Sequence, residues 1–316
     1  MSTPRTLKLS KGVDRLTIET SRGAFAALEA LPATGICERQ PALLVPGYTG
    51  SKEDFIPVLG LLAAAGRRVF AIDLRGQHES PPAAGAGGYG LGALAADLAA
   101  IGDALGSGDA SNGPPRRIHL LGHSFGGLVA RETALTQPAL ISSLTLMSSG
   151  PGVLTGPRAV LLEAMLTHLR GVPPAALAAE IKRLWETQLE PEAVSDGTPP
   201  AIVTFLRTRM LNNCATGMVS MAEILLTCPD RTAALAELRP SPVLVLYGEN
   251  DDAWAPSIQE EMAKRLAAQR VCIPGAAHSP AVEAPETVAS TLTTFWNKAE
   301  NHRARPDSPA RAHTRA

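Results

Sequence analysis

A serine between glycines is the first group in this 316-residue chain whose setting suggests chemistry. The stretch Gly122-His123-Ser124-Phe125-Gly126-Gly127 follows an apolar run at 117–121 and leads into the helical pattern "LVARETALTQ". A serine held out on a sharp strand-to-helix turn needs small neighbours, because side chains at the flanking positions would collide with the adjoining backbone. The G-x-S-x-G spacing alone arises by chance in glycine-rich chains, so the strand before it and the helix after it carry the specificity. A serine hydroxyl is a weak nucleophile unless a base lies in reach and a third group orients that base.

Seven histidines could supply the base. His302 and His313 fall in the C-terminal tail, His168 in a helical stretch and His119 inside a strand pattern. His123 adjoins Ser124, where a tight turn directs the two side chains apart, and His78 in "DLRGQHES" is a weaker rival. His278 is preferred, since "IPGAAHSPAVEAPE" puts it directly after the last strand pattern and before the last helix. The acid is sought in "LVLYGENDD", an apolar run that ends in Glu249, Asn250, Asp251 and Asp252. That turn lacks the Asp-x-Asp-x-Asx-Gly spacing of a dedicated cation loop, so no metal is called for, and the chain order becomes serine, acid, histidine.

These groups need a frame that brings them together. Short apolar runs at 15–20, 24–31, 42–47, 68–73, 117–122, 143–148, 242–248 and 270–275 read as strands. From the third onward they are nearly all apolar, as parallel strands covered on both faces must be. Helical patterns at 54–65, 91–105, 125–136, 257–268 and 284–298 fill the gaps, giving an α/β fold. Loops at the carboxyl ends of parallel strands share one crevice, so Ser124, His278 and the acid turn are expected at one edge. The oxyanion formed on attack at a carbonyl needs fixed N–H donors. The backbone amides of Phe125, after the serine, and of Tyr48, in "VPGYTGSKEDF" after the third strand, are the candidates.

The interval 152–230 breaks the alternation, with apolar helical runs separated by Pro and Gly and no strand pattern. It reads as a helical insertion into a core of 1–151 and 231–299, and 300–316 as a disordered basic tail. With 29 Lys+Arg against 30 Asp+Glu the formal charge is −1, so no global field recruits nucleic acid or an anionic membrane. No apolar run has the length of a signal peptide or a bilayer span, and a cytoplasmic protein is expected. Cys37, Cys214, Cys228 and Cys272 lack metal-ligand spacing and are expected as free thiols. Asp73, ending the fourth strand pattern, is read with Arg75 as a brace for its own loop, since no dinucleotide or phosphate-loop glycine pattern occurs.

Taken in order, "LLGHSFGG", "AIDLRGQHES", "LYGENDD" and "GAAHSPAVEAPE" resemble the α/β-hydrolase family over about 40–298, the insertion excepted. The resemblance implies an eight-stranded, mostly parallel sheet with a helical cap, and cofactor-free hydrolysis through an acyl-enzyme. It favours Asp251, three residues past Gly248, although Asp252, four residues before Pro256, imitates a second family spacing. Two departures stand out: Pro46-Gly47 where His-Gly is usual, and Gly76-Gln77-His78 where Gly-His-Gly is common. The implied substrate is a small or medium apolar ester, thioester or lactone. Hydrolysis of a C–C bond in a diketone, amide cleavage and perhydrolysis use the same groups, and a non-catalytic ligand receptor on this scaffold is the further alternative.

Overall fold

Largely apolar strands of four to seven residues, buried along their whole length, form the centre of the molecule. The computed structural model describes residues 2–34, 39–106, 117–238 and 241–303. Its strands are β1 (Val13–Thr20), β2 (Gly23–Ala30), β3 (Ala42–Val45), β4 (Val69–Ile72), β5 (Ile118–His123), β6 (Ile141–Met147), β7 (Val243–Gly248) and β8 (Gln269–Ile273). They make one eight-stranded sheet in the order β1-β2-β4-β3-β5-β6-β7-β8. β1 and β2 form an antiparallel hairpin, β2 pairs antiparallel with β4, and every other pairing is parallel.

In β3, β4, β5 and β6 every residue is buried, which explains why these runs carry no polar alternation. β8 departs from the expectation of strands covered on both faces. It pairs only with β7, and most of its residues are exposed or half-buried, because an edge strand needs no second apolar neighbour.

Helices cover both faces. α1 (Ile56–Ala64) follows a short turn of helix at Lys52–Phe55, and α2 (Leu91–Gly106) and α3 (Phe125–Thr136) come next. Between β6 and β7 the chain is helical throughout its regular elements: α4 (Pro157–Arg170), α5 (Leu177–Leu184), α6 (Glu190–Ser195), α7 (Pro200–Asn212), α8 (Ala215–Thr227) and α9 (Thr232–Leu238). After β7 come α10 (Pro256–Arg265), α11 (Pro280–Glu283) and α12 (Pro285–Arg303). Residues of α1 and α12 share one core with one face of the sheet, and those of α2, α3, α9 and α10 share another with the opposite face. Helices α4, α5, α7 and α8 build a third core of their own around the buried Trp185, Leu206, Met210 and Met218. Cys214, Cys228 and Cys272 are free, whereas Cys37 lies outside the described residues.

The C-terminal helix runs further than the composition of 300–316 suggested. α12 continues through Arg303, and Glu300 is anchored rather than solvated: His119 Nε2 donates to its Oε1 at 2.9 Å and Arg67 Nη1 at 2.6 Å. His119 accepts from Ser143 Oγ at 2.7 Å through its Nδ1 and stacks on Trp296. Burial holds this imidazole down from the ordinary 6.5 to about 4, even though the carboxylate pulls the other way. Burial also pushes Glu300 up, but its bonds from His119 and Arg67 hold it down to about 2. The pair is therefore a neutral imidazole donating to a carboxylate whose charge partners are Arg67 and, at 3.5 Å, Arg39.

A pH effect follows. Below about 6.5 the unfolded chain takes up a proton on His119 that the folded chain refuses until about 4, so acidification favours unfolding across that window. The cost reaches about 3 kcal/mol. Thermal melts of the wild type should lose stability between pH 6.5 and 4 more steeply than those of His119→Gln. Parallel curves would contradict the burial argument.

Candidate active site

Ser124 sits at φ 54° and ψ −120°, a backbone conformation that side chains rarely adopt. Two hydrogen bonds hold it there, from Ser124 N–H to Met147 O at 2.9 Å and from Gly127 N–H to Ser124 O at 2.9 Å. The flanking glycines are needed for closeness. A Cβ on Gly122 would lie 2.2 Å from Gly126 O, and one on Gly126 would lie 2.4 Å from Pro46 O. Among the described residues, five non-glycines have positive φ, and four of them, Thr49, His78, Ser124 and Ser148, stand in the loops after β3, β4, β5 and β6. Strain is thus concentrated at the carboxyl edge of the sheet.

The loops after β7 and β8 reach the same edge. His278 Nε2 lies 3.0 Å from Ser124 Oγ, and His278 Nδ1 lies 2.9 Å from Asp251 Oδ1. With its Nδ1–H donated to the carboxylate, the imidazole keeps the Nε2 lone pair for the serine hydroxyl. Asp251 is buried and accepts two further bonds, from Ala253 N–H at 3.0 Å and from Gln259 Nε2 at 2.8 Å. Burial pushes its carboxyl upward, but His278 and these donors outweigh that push and hold it below the usual carboxylate range.

The neighbouring acids point elsewhere. Asp252 is exposed and pairs with Arg158 at 2.7 Å. Glu249 accepts from Gly275 N–H at 2.9 Å on the exposed side of the turn, where Asn250 is exposed as well. The geometry therefore brings Asp251, and not Asp252, to His278.

Several contacts differ from the sequence expectations. The His123 side chain is not directed away from the site: its Nε2–H donates to His278 O at 2.7 Å, with ring centroids 5.1 Å apart. Burial and the facing His278 hold it down to about 3, so it serves as a neutral donor that steadies the His278 backbone. No pattern pointed to Gln259, whose amide grips both Asp251 Oδ2 and Trp254 O at 2.8 Å. The only available hint was a glutamine on the first turn of a helix three residues past Pro256.

His78 is directed to the helices, edge-on against Phe205, with its backbone N–H donating to Asn213 Oδ1. Possible ligand atoms of Glu53, His78 and Glu79 come within 4.8 Å of one another. The Lys52 ammonium already lies 2.6 Å from Glu79, 2.7 Å from Asp73 and 3.2 Å from Glu53, and with Arg15 Nη1, 3.2 Å from both Glu53 and Glu79, it supplies the positive charge of that cluster. Asp73 grips Lys52 and also accepts from Glu79 N–H at 3.2 Å, bracing its own loop as expected, while Arg75 instead reaches Asp97 on α2 at 2.6 Å.

Above Ser124 lies a pocket of about 440 Å³, closed by α4, α7 and α8. Its wall is mainly apolar, with Leu154, Leu162, Met165, Met218, Leu225 and Trp254, while Arg158 and Asp252 stand on its rim. The backbone N–H of Phe125 opens α3, where the helix dipole favours negative charge. Tyr48 follows Gly47 in the loop after β3. Neither of these two N–H groups meets a protein acceptor among the described residues.

A mostly parallel sheet that gathers a serine, a histidine and a buried aspartate at its carboxyl edge, beneath an all-helical insertion, defines the class of the protein as α/β. A sequence profile of the alpha/beta hydrolase family matches residues 42–291, and the chain belongs to that family. A protein described as "Putative carbamate hydrolase RutD" from Variovorax paradoxus is 39% identical over 115 residues, which span 36% of this chain and 40% of that protein. A 2-succinyl-6-hydroxy-2,4-cyclohexadiene-1-carboxylate synthase of an Enterobacter species is 29% identical over 184 residues, 56% of this chain and 65% of that protein. Among solved structures, a thermophilic esterase from Thermogutta terrifontis superposes with a TM-score of 0.65 at 25% identity, covering 90% of this chain and 99% of the esterase. Among the described residues no helix is long and apolar enough to cross a membrane.

Proposed function

We propose that this protein hydrolyses a small or medium apolar carboxylic ester, thioester or lactone through an acyl-enzyme on Ser124, without a cofactor. The observation that carries the reading is the hydrogen-bonded chain from Ser124 through His278 to Asp251, opening into an apolar pocket of about 440 Å³. In the first half-reaction Ser124 Oγ bonds to the carbonyl carbon as its proton passes to His278 Nε2. The carbonyl oxygen takes the electron pair and rests between the N–H groups of Phe125 and Tyr48. Collapse of this tetrahedral species expels the alcohol or thiol, which leaves with the proton from His278. Water then attacks the acyl group as His278 takes its proton, and collapse of the second tetrahedral species breaks the bond to Ser124 Oγ, which regains the proton from His278 as the carboxylic acid leaves.

Helices α4, α7 and α8 act as a cap whose side chains hold the apolar part of the substrate and exclude water. Each methylene they bury contributes up to about 0.8 kcal/mol, or about fourfold in kcat/KM. Turnover of p-nitrophenyl esters should therefore rise from acetate to hexanoate, and a fluorophosphonate probe should label Ser124. Folded protein that neither turns over any of these esters nor takes the label would overturn the reading. A flat chain-length profile would remove the apolar-substrate half of it alone.

A further inference from the structure

We infer that Gln77 is a positioning residue for the oxyanion site: its side-chain amide holds the Gly47 carbonyl so that the Tyr48 N–H, on the far side of the same peptide unit, faces the reacting oxygen. The inference rests on the serine-hydrolase reading and adds a residue to it. Gln77 stands in the loop after β4, and its side chain is buried, with 2% of the residue exposed. Its Nε2 donates to Gly47 O at 3.0 Å. The two ends of the amide are told apart by their partners, because Oε1 accepts from Leu74 N–H at 3.3 Å, which leaves the NH₂ for Gly47.

The peptide plane converts that contact into an orientation. No described peptide bond is cis, so the C=O of Gly47 and the N–H of Tyr48 point in opposite directions from one rigid unit. Anchoring the oxygen on the Gln77 side turns the N–H to the other side. The loop itself lies against the serine: a Cβ built on Gly47 would lie 3.0 Å from Ser124 Cβ, and both Gly47 and Tyr48 line the pocket.

The loop needs an outside anchor. Between β3 and the turn at Lys52–Phe55 it has no regular structure, and Thr49 is held at φ 57°. Gly50 N–H also donates to Gly47 O at 3.1 Å, but Gly50 belongs to the same loop and moves with it. Gln77 comes from a different strand end, and the turn it sits in is itself closed by Gln77 N–H to Leu74 O at 2.8 Å. The amide also lies 4.0 Å from Met221 Sδ on α8, so the anchor sits where the oxyanion loop meets the capping helices. This is the position where the "AIDLRGQHES" segment departs from the Gly-His-Gly common in similar sequences.

The test uses Gln77→Glu and Gln77→Leu in the full chain. The carboxylate keeps the size of the amide and can still accept from Leu74, but it cannot donate to Gly47 O. With p-nitrophenyl butyrate, both variants should lose about ten- to thirtyfold in kcat, with KM within about twofold. An aryl trifluoromethyl ketone, whose carbonyl carbon accepts Ser124 Oγ to leave a tetrahedral alkoxide in the same hole, should lose affinity by the same factor. A side chain needed only for packing would lower the melting temperature without this kcat loss or this loss of analogue affinity.

Wild-type kcat in Gln77→Glu, a loss confined to KM, or unchanged ketone affinity would overturn the inference while leaving the hydrolase reading in place. Unfolding of both variants would overturn it too, making Gln77 a packing residue. Absence of ester turnover and probe labelling in the wild type would instead overturn the parent reading.

Discussion

Ester turnover by the Ser124→Ala protein is expected to fall by about 10⁵-fold, with residual activity above the uncatalysed rate. Only Oγ is removed. The backbone bonds that hold position 124, to Met147 O and from Gly127 N–H, stay in place, and the elbow glycines are untouched. The variant should therefore melt close to the wild type and still bind apolar esters in the pocket. On the proposed reading, what remains is positioning and the N–H pair of Phe125 and Tyr48, expected still to polarise a carbonyl toward water. Steady-state kinetics beside a thermal melt checks this, and equal turnover by wild type and variant would place the nucleophile elsewhere.

The second large effect separates two adjacent carboxylates. Asp251→Asn is expected to lower kcat about 10³- to 10⁴-fold, whereas Asp252→Asn should change it by less than about threefold. Asp251 accepts from three donors, with His278 and Ala253 on Oδ1 and Gln259 on Oδ2. An asparagine has one oxygen, so its NH₂ must face one of these donors. Turned toward His278, it forces the proton to Nε2, and that tautomer cannot accept from Ser124. Turned toward Gln259, it opposes an NH₂ that already donates to Trp254 O, so that hydrogen-bond pattern is broken instead. Asp252 is exposed and paired with Arg158 on the rim, where screening makes such a pair worth little. Comparable losses in the two variants, or a collapse confined to Asp252→Asn, would contradict this account.

Much of the frame was legible because it depends on neighbours in the sequence. The buried strands β3 and β4 announce themselves as uninterrupted apolar runs and β5 and β6 as largely apolar ones, and the elbow announces itself through glycines two residues either side of Ser124. Composition misled at Glu300, which sits in a basic stretch yet closes a buried cluster with His119 and Arg67. It also hid the exposure of β8, because an apolar strand reads alike whether it lies at the centre or at the edge.

By itself the sequence determined the order of serine, acid and histidine, and the rule that loops after parallel strands share an edge placed them together. The choice of Asp251 over Asp252, the inward turn of His123, and the grip of Gln259 and Gln77 were decided only by the tertiary structure. Successive side chains in a tight turn differ in direction by amounts that no spacing records. A single amide in a helix or a loop carries no periodic signal, and whether it finds Asp251 or Gly47 depends on how closely the sheet brings separate strand ends together. Hydrogen bonds act over about 3 Å, so contacts between residues far apart in the chain are set by packing rather than by pattern.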